Sequence, residues 1–415
     1  MDTADKFGLG VIGAGMGAKP HGLALQSLAD RITVTGVYRR DREQLAGFCE
    51  TYGLPPAESY ESMLADPRTE AILVLTPPNA REEIIAAAAA AGKAVLMEKP
   101  VERTLAAAER IVALCDAAGV RHGVMFQHRF RRASRLLAGA VAEGRYGALA
   151  AVHLVVPWWR PQQGYYDQPG RGSLAQDGGG VLITQAIHSL DLMLSLCGDV
   201  AAVTAMTATT RLHRMETEDF ATAGLEFASG AVGSLMATTA SFPGGPEALT
   251  LNFERATAVL TGGTLTVRSM DGEALVEGET TEGGGGADPM AFPFDWHAAQ
   301  IAEFAEAVRA GRLPMSNGHT ALKVHRLIDA LMRSAAEGRR LTIEASKAVA
   351  PTLTGWGGVP VRQPSRYPER RRAASGCSWP GGCRRWHRSD RFPPAPHCAA
   401  RRQPSTSAAQ RRGCG

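Results

Sequence analysis

Residues 7–18 read FGLGVIGAGMGA, and this stretch decides the fold class of the first part of the chain. A short apolar run predicts a strand, the three glycines that follow predict a tight turn, and a helix-like run comes next. Such a turn lets backbone N–H groups approach a pyrophosphate at the N-terminus of the helix. The strict pattern has glycine at position 18, where this chain has Ala18, but that position governs helix–strand packing and tolerates alanine. We therefore predict cofactor binding at Gly13, Gly15, Met16 and Gly17.

Short buried strands and helices continue to alternate up to about residue 126. This rhythm is typical of a parallel sheet with helices on both faces. We therefore predict an α/β protein whose residues 1–126 form a Rossmann domain with a doubly wound parallel sheet. The predicted strands after the first are residues 32–38, 71–75, 94–97 and 121–126, and the predicted helices between them are 42–52, 82–91 and 105–118.

The end of the second predicted strand indicates which dinucleotide binds. A dinucleotide site reads the adenosine ribose there, and this chain has Arg39 and Arg40 followed by Asp41. Arginines can bind the 2′-phosphate of NADP, whereas an acid would accept hydrogen bonds from the free 2′-hydroxyl of NAD. We predict NADP. NAD is the alternative, with the arginines stacked on adenine or directed into solvent.

Loops after the later strands should line the ligand crevice, because the C-terminal ends of parallel strands meet at one edge. Lys99 lies in such a loop, where a desolvated lysine can act as an acid or base or bind a substrate oxygen. The alternative is a solvated lysine paired with Glu98. The predicted contacts of these loops with the cofactor are Thr76, Pro77, Asn79, Glu98 and Lys99.

Residues 177–196, DGGGVLITQAIHSLDLMLSL, predict an apolar helix that begins after three glycines. Thr184, His188 and Asp191 are spaced i, i+4 and i+7 and so share one helical face, with Gln185 beside it. One interpretation is a core helix whose polar residues satisfy each other. The other is a substrate platform that faces the nucleotide-binding half.

The composition indicates a globular protein of two domains plus an appendage. The chain has 415 residues, of which 45% are hydrophobic and 21% charged. No apolar run approaches the roughly 20 residues of a membrane span, and the start of the chain lacks signal-peptide features. We therefore expect a cytoplasmic protein that does not bind membranes.

Residues 346–415 predict a disordered basic tail without hydrophobic periodicity. From residue 350 onward there are 13 arginines and only two acids, whereas residues 1–349 have a net charge of −7. The tail could bind nucleic acid or an anionic membrane, but its composition favours a GC-rich gene read in a shifted frame. The acidic body gives no reason to expect nucleic acid, and its three scattered cysteines predict neither a disulfide framework nor a zinc site.

Residues 127–345 predict a second α/β domain with a large open sheet, mainly antiparallel. Its predicted strands are short runs broken by Gly, Asn or Pro, with a glycine loop at 278–290 and closing helices at 297–310 and 320–336. His297 could reach the substrate. An open sheet needs a covered face, so we expect a homodimer or homotetramer.

Taken together, several elements resemble the Gfo/Idh/MocA family of NAD(P)-dependent oxidoreductases over residues 7–345. The resemblance implies a Rossmann domain, an open-sheet domain, and hydride transfer at a hydroxyl carbon of a sugar, nucleotide sugar or polyol. It also implies a catalytic pair, Lys99 and His188. The elements that resemble the family are the turn at Gly13, Thr76-Pro77, Glu98-Lys99-Pro100, and Gly178-Gly179-Gly180 followed by His188 and Asp191.

Some positions differ from the common family pattern. Arg81 stands where a histidine is frequent, and Thr184 stands where an aspartate commonly precedes the helix histidine, which weakens a simple Lys–Asp–His relay. Gln185 and the aromatic and arginine residues at 159–172 resemble a subgroup in which some members act on nucleotide-linked or N-acetylated sugars. The predicted substrate-binding residues are Arg160, Tyr166, Thr184, Gln185 and Asp191.

The sequence is also compatible with two other functions. The same scaffold could support a cofactor-dependent glycosidase, in which transient oxidation permits elimination of the leaving group. It could also support a dinucleotide-binding regulator without turnover, although the presence of both Lys99 and His188 disfavours this. A metal role for His188 and Asp191 is disfavoured, because no third ligand of suitable spacing is present.

Overall fold

The structure, a computed structural model, describes residues 6–278 and 293–344, which belong to one compact unit. The predicted tail at 346–415 lies outside the described residues, as does the predicted glycine loop apart from residue 278. Within the described ranges no helix has both the length and the apolar character needed to cross a bilayer.

The first sheet has five parallel strands in the order β2-β1-β3-β4-β5, which confirms the predicted doubly wound sheet. Strands β1, β3 and β4 are buried along their whole length because helices cover both faces. Asp41 and Thr104 cap the helices that follow them, each accepting a backbone N–H. The elements are β1 (Phe7–Ile12), α1 (Lys19–Ser27), β2 (Ile32–Tyr38), α2 (Arg42–Tyr52), α3 (Tyr60–Ala65), β3 (Ala71–Val74), α4 (Glu82–Ala90), β4 (Ala94–Met97), α5 (Leu105–Ala117) and β5 (His122–Val124).

The second sheet has nine strands in the order β13-β12-β11-β10-β6-β9-β8-β7-β14. Every neighbouring pair is antiparallel except β6 and β9, so the predicted mainly antiparallel sheet is confirmed. The elements are α6 (Arg132–Ala142), β6 (Leu149–Pro157), α7 (Val181–Thr184), α8 (Ile187–Cys197), β7 (Val200–Ala208), β8 (Phe220–Phe227), β9 (Val232–Thr238), β10 (Ala248–Phe253), β11 (Ala256–Thr261), β12 (Thr264–Ser269), β13 (Ala274–Glu277), α9 (Asp295–Arg309), α10 (Gly318–Glu337) and β14 (Leu341–Thr342).

Helix α9 lies far along the chain but packs against the first sheet. Its buried Ile301 and Phe304 share one hydrophobic cluster with Leu9 and Val11 of β1. Helix α10 instead packs between α5 and β7, and so connects the two sheets. The two parts of the chain are therefore joined by a continuous core, and a domain boundary near residue 126 stays a prediction.

The predicted helix at 177–196 is wrong in one respect, because the structure divides it into α7 and α8. Gln185 and Ala186 separate the two pieces, with Gln185 at φ −114° and ψ −56°. Thr184 therefore does not share a continuous helical face with His188. Apolar periodicity could not reveal this break, since residues on both sides of it are buried.

Helix α6 and strand β7 were not predicted. Strand β7 reads VAAVTAMTA, in which small alanines and threonines give only a weak alternation of polar and apolar residues. Its pairing with β8 is a long-range contact that local pattern does not encode.

Candidate active site

The glycine turn after β1 forms an open cradle at the C-terminal edge of the first sheet. Gly13 has φ +100°, and a Cβ there would lie 2.8 Å from the Thr76 backbone nitrogen, so only glycine fits. A Cβ at Gly15 or Gly17 would meet nothing within 4 Å. The turn at Met16–Ala18 leads directly into α1. This exposed backbone before a helix fits the pyrophosphate of a dinucleotide.

The two arginines after β2 have different surroundings. The half-buried Arg39 guanidinium donates to the Ala14 carbonyl oxygen and so holds the glycine turn. Arg40 is exposed, and Asp41 accepts the backbone N–H of Gln44 at 3.0 Å as the cap of α2. Arg40 is therefore the side chain with the greater freedom to meet a ribose phosphate.

Arg81 ties together the two loops that follow β3 and β4. Its buried guanidinium donates to the Thr76 carbonyl through Nε at 2.9 Å and Nη2 at 2.7 Å. Its Nη1 donates to the carbonyls of Glu98 and Pro100. Burial lowers the pKa of Arg81 to about 10. The predicted cofactor contacts Pro77 and Asn79 are exposed beside this tether.

Glu98 is the acceptor in a second hydrogen-bond network, which includes the backbone N–H of Lys99. Its Oε1 accepts from His21 Nε2 at 2.7 Å, and its Oε2 accepts the Lys99 backbone N–H at 3.0 Å. Burial disfavours the carboxylate, but the His21 hydrogen bond and the nearby positive charges outweigh it and lower the pKa of Glu98. His297 packs edge-on against His21, 4.9 Å between ring centroids, and so lies on this network.

The Glu98 network could also be considered as a metal site. The ligand atoms of His21, Glu98 and His297 lie within 4.8 Å of one another. Both carboxylate oxygens of Glu98, however, already accept hydrogen bonds, one from His21 Nε2 at 2.7 Å and the other from the Lys99 backbone N–H at 3.0 Å. We therefore interpret the cluster as a hydrogen-bond network that stabilises the Lys99 loop.

Lys99 reaches from the first sheet to the broken helix of the second half. Its Nζ donates to the Thr184 carbonyl at 2.8 Å. That carbonyl is available because the helix breaks at Gln185 and leaves it outside a regular helical ladder. Burial lowers the pKa of Lys99, with Glu98 opposing the shift. The half-buried Lys99 ammonium is therefore paired with the Thr184 carbonyl, whereas the solvated alternative paired it with Glu98.

His188 is almost fully buried on α8 and stacks on His128, 5.0 Å between ring centroids. His128 Nε2 accepts from Arg131 Nη2 at 2.7 Å, which orients the lower ring of the stack. Burial lowers the pKa of His188 well below its ordinary value, and Lys99 adds to this shift. Among the described residues, Nδ1 of His188 has no hydrogen-bond partner. A neutral imidazole with a spare ring nitrogen therefore lies near Lys99.

Asp191 is paired with Arg129, so its carboxylate is not free to bind a substrate. Its two carboxylate oxygens accept from Nε and Nη2 of Arg129, both at 2.6 Å, and it is fully buried. Burial raises the pKa of Asp191, and Arg129 opposes the shift. The geometry therefore gives Asp191 the task of anchoring α8 to the turn at Gln127–Phe130, in place of the predicted substrate contact.

A wall of aromatic and arginine side chains faces the broken helix. Gln185 Nε2 donates to the Tyr165 hydroxyl at 2.9 Å, and the Arg171 guanidinium lies 5.3 Å from the centre of the Tyr165 ring. Arg160 is buried, 5.2 Å from the Trp158 ring and 5.7 Å from the Tyr165 ring.

Thr184 and Tyr166, two of the predicted substrate contacts, are occupied with internal hydrogen bonds. The Thr184 hydroxyl donates to the Gly180 carbonyl at 2.6 Å and also contacts Gln185. Tyr166 is buried with its hydroxyl 2.7 Å from Thr239 Oγ1. Tyr165, its more exposed neighbour, has the better placement for a substrate.

Glu218 fixes the start of α7 and was missed by sequence reasoning. Its carboxylate accepts the backbone N–H groups of Gly180 at 3.0 Å and Leu182 at 3.1 Å. A Cβ on Gly180 would lie 1.7 Å from the Glu218 carbonyl oxygen, so the glycine permits this close approach. No local signal connects residues 38 positions apart. His128 and Arg129, by contrast, directly follow a predicted strand and could have been selected by the same rule as Lys99.

Comparison with known protein families supports this architecture. Residues 7–126 match the GFO_IDH_MocA family, described as an oxidoreductase family with an NAD-binding Rossmann fold. Residues 134–265 match a GFO/IDH/MocA C-terminal domain. The two matches fall on the two sheets described above.

Individual relatives agree with the family matches. The chain is 30% identical to the WlbA dehydrogenase from Bordetella pertussis, solved in complex with NADH and UDP-GlcNAcA, with a TM-score of 0.69 over 82% of this chain and 100% of that one. It is 26% identical over 377 residues to D-apiose dehydrogenase from Paraburkholderia graminis, covering 87% of this chain and 96% of the relative. It is 27% identical over 294 residues to 1,5-anhydro-D-fructose reductase from Ensifer adhaerens, covering 69% and 83%.

The relatives are thus dehydrogenases and reductases, and the predicted family resemblance is confirmed in both halves of the chain. The residues that match the NAD-binding Rossmann fold of the family, 7–126, include the open glycine turn. The chain belongs to the Gfo/Idh/MocA family and is an NAD(P)-dependent oxidoreductase of the dehydrogenase and reductase class.

Proposed function

We propose that this enzyme moves a hydride between a nicotinamide cofactor and a hydroxyl carbon of a sugar that bears an acidic group, such as a nucleotide sugar. The observation that supports this most directly is the Lys99–Thr184 contact, which brings a half-buried ammonium to the broken helix beside neutral His188. Lys99 and His188 are the proposed catalytic residues, and the glycine turn is the proposed cofactor site.

In this proposal the substrate carbinol lies between the C-terminal edge of the first sheet and α8. A bound nicotinamide ring accepts or donates the hydride. Lys99 binds the substrate oxygen and exchanges its proton, since burial lowers its pKa toward the working range. His188 is held neutral by burial and presents a ring nitrogen as a hydrogen-bond acceptor. The residues around them align the substrate and exclude water.

The proposed substrate class is supported by the arginine and aromatic side chains that border the site across from Lys99. Arg171 and the half-buried Tyr165 border the site, and the Arg171 guanidinium, which lies over the aromatic face and 3.5 Å from Asp177, is of the kind that binds carboxylate or phosphate. Gln185 adds an amide that can recognise a hydroxyl or an acyl group. The WlbA relative was solved in complex with UDP-GlcNAcA, a nucleotide-linked sugar, which supports the same class for this chain.

The first test is a Lys99→Met variant, with Lys93→Met as the control. Lys93 is also a lysine of the first half, but its Nζ donates to the Asp66 carbonyl away from the site. We expect Lys99→Met to lower kcat by roughly 10²–10⁴-fold while retaining NADH and NADPH binding, because proton transfer is lost and the glycine turn is not. Activity is measured as cofactor absorbance change with UDP-linked uronic acids, neutral nucleotide sugars and free pentoses.

Near-normal turnover of Lys99→Met would remove Lys99 from the mechanism. Equal activity on the free pentoses and on the nucleotide-linked sugars, which carry an anionic diphosphate, would contradict the substrate class. Release of a leaving group without net cofactor reduction would indicate the glycosidase alternative instead.

Two finer features complete the proposal. We propose NADP as the preferred cofactor, supported by the exposed Arg40 after β2, with NAD as the alternative. We also propose a homodimer or homotetramer formed through the open face of the nine-stranded sheet. The strand register aligns a mostly apolar row on that face, consisting of Met206, Thr222, Met236, Val155 and Ala248.

A further inference from the structure

Three metal-ligating side chains converge at a place that the catalytic mechanism does not use. Asp116 is at the C-terminal end of α5, His122 is the first residue of β5, and His319 is in the first turn of α10. Their ligand atoms lie within 4.8 Å of one another. The cluster lies at the N-terminal end of β5, where His122 begins the strand. The C-terminal end of the same strand leads to His128 and the loops of the active site.

The distances between the ligand atoms approach those of a zinc site. Asp116 Oδ1 is 3.2 Å from His319 Nε2 and 3.9 Å from His122 Nε2. With bonds of about 2.0–2.2 Å, tetrahedral Zn²⁺ separates its ligand atoms by roughly 3.3–3.6 Å. Small rotations of two partly exposed side chains, Asp116 and His319, would satisfy that geometry.

The tautomer of His122 indicates that its Nε2 is a free acceptor that faces the other two ligand side chains. His122 is 1% exposed, and its Nδ1 lies 3.4 Å from the Val120 carbonyl, the position of a donated N–H. That leaves a lone pair on Nε2, which is buried, has no hydrogen-bond partner and faces the Asp116 carboxylate. Asp116 Oδ1 already accepts from His319 Nε2 at 3.2 Å, but this contact leaves the buried Nε2 of His122 without a partner among the described residues, which a cation between the three groups would supply. A ring N–H donated to a backbone carbonyl is also the usual support of a metal-bound histidine.

The backbone holds His122 and His319 in register. Val124 N–H donates to the Ser316 carbonyl at 2.9 Å, and Gly123 and Asn317 form an isolated antiparallel bridge. Gly318 makes room for the imidazole, since a Cβ there would lie 2.6 Å from His122 Nε2. The ring is thus fixed by its surroundings before any ligand arrives.

We propose that Asp116, His122 and His319 bind one Zn²⁺, with water completing the coordination. The donor set of two imidazoles and one carboxylate suits zinc or a similar borderline transition metal better than Mg²⁺ or Ca²⁺, which prefer all-oxygen ligands. The ion joins the ends of α5, β5 and α10, so its role is to stabilise the contact between the two halves of the chain.

The test measures zinc binding to the full chain by competition with a chromophoric chelator, together with the thermal midpoint with and without Zn²⁺. Wild type is compared with Asp116→Asn and His319→Ala, and His153→Ala is the control, an exposed histidine on β6 outside the cluster. We expect both ligand variants to lose one equivalent of zinc, or to bind it at least about tenfold more weakly, and to lose the zinc-dependent rise in thermal midpoint.

Comparison with wild type separates this site from other zinc-binding groups, including the cysteines at 377–414. Asp116 and His319 are partly exposed, so the variants should fold, and far-ultraviolet circular dichroism without zinc verifies this. Unchanged zinc stoichiometry and affinity in either folded variant would overturn the proposal. So would an equal loss in His153→Ala. Stronger stabilisation by Mg²⁺ or Ca²⁺ than by Zn²⁺ would overturn the choice of metal.

Discussion

At the scale of single residues, Arg81 shows how a buried charge can serve the site without contacting substrate. It replaces the histidine frequent at this position in the family and donates to three backbone carbonyls in the loops that hold Thr76 and Lys99. A guanidinium presents several donors in one plane, so one side chain can tie two loops together. A lysine could not make these contacts at once.

Arg40 is the residue at which cofactor preference can be tested. We expect Arg40→Ala to weaken NADPH binding by about tenfold with little change for NADH, because only NADPH has a 2′-phosphate for the guanidinium to bind. Fluorescence titration with each cofactor measures this. Arg31→Ala is the matched control, since this exposed arginine precedes the opposite end of β2. A parallel loss for both cofactors, or none for NADPH, would contradict the predicted role.

At the scale of elements, the break between α7 and α8 creates the acceptor for Lys99. An unbroken helix would use the Thr184 carbonyl in its own hydrogen-bond ladder. The break instead leaves it to accept from Nζ of Lys99. The sequence predicted a helix here and selected His188 and Gln185, but it could not predict the break, because the residues on both sides of the break are buried and give one apolar pattern.

Substitution of Glu218 therefore tests whether the position of α7 affects catalysis. Glu218→Ala leaves the N–H groups of Gly180 and Leu182 without their carboxylate, which should lower the free energy of unfolding by about 1–3 kcal/mol. We also expect kcat to fall by roughly tenfold or more with cofactor affinity unchanged, because the Thr184 carbonyl loses its fixed position. Steady-state kinetics and denaturant unfolding measure the two effects.

The controls for Glu218 are Glu218→Gln and Glu226→Ala. The first retains one acceptor oxygen and should recover part of kcat. The second removes an exposed glutamate that pairs with Arg340, and should change little. Loss of stability without loss of kcat in Glu218→Ala would show that α7 holds its place without this carboxylate.

At the scale of the whole molecule, the described residues bury several histidines in neutral form. Burial lowers the pKa of His297 to about 3 and of His325 to about 4, and it lowers the pKa values of His128 and His188 strongly. Below about pH 6.5 the unfolded chain binds protons that the folded chain does not. The free energy of unfolding should therefore fall as the pH falls from 6.5 toward 4.

His325 on α10 isolates one of these contributions, because burial alone lowers its pKa. In His325→Asn the slope of unfolding free energy against pH should be smaller by about 1.4 kcal/mol per pH unit between pH 6 and 4.5. Urea unfolding at a series of pH values measures the slope. Above pH 7 the difference between the two proteins should stay constant, and equal slopes below pH 6 would refute the assignment.

Assembly belongs to the same scale. We expect Met236→Lys to reduce the proposed homodimer or homotetramer to smaller species, because Met236 lies in the middle of the apolar row on the open sheet face and a buried lysine there would be unpaired. Light scattering after size-exclusion chromatography measures the mass. Lys substitution of exposed Met270, which lies in a turn after β12, is the control. A wild-type monomer, or an unchanged mass in Met236→Lys, would contradict the proposal.

The sequence by itself determined the parallel sheet, its strand-end loops and the glycine turn, and its family resemblance predicted Lys99 and His188 as the catalytic pair. These depend on local spacing: periodicity, a glycine with an obligatory positive φ, and residues that follow a strand directly. Tertiary structure alone decided that Tyr165 contacts Gln185 while Tyr166 is buried, that Asp191 binds Arg129, and that Asp116 contacts His319. Each of these depends on which side chains a fold brings together across tens or hundreds of residues, and no local pattern encodes that distance.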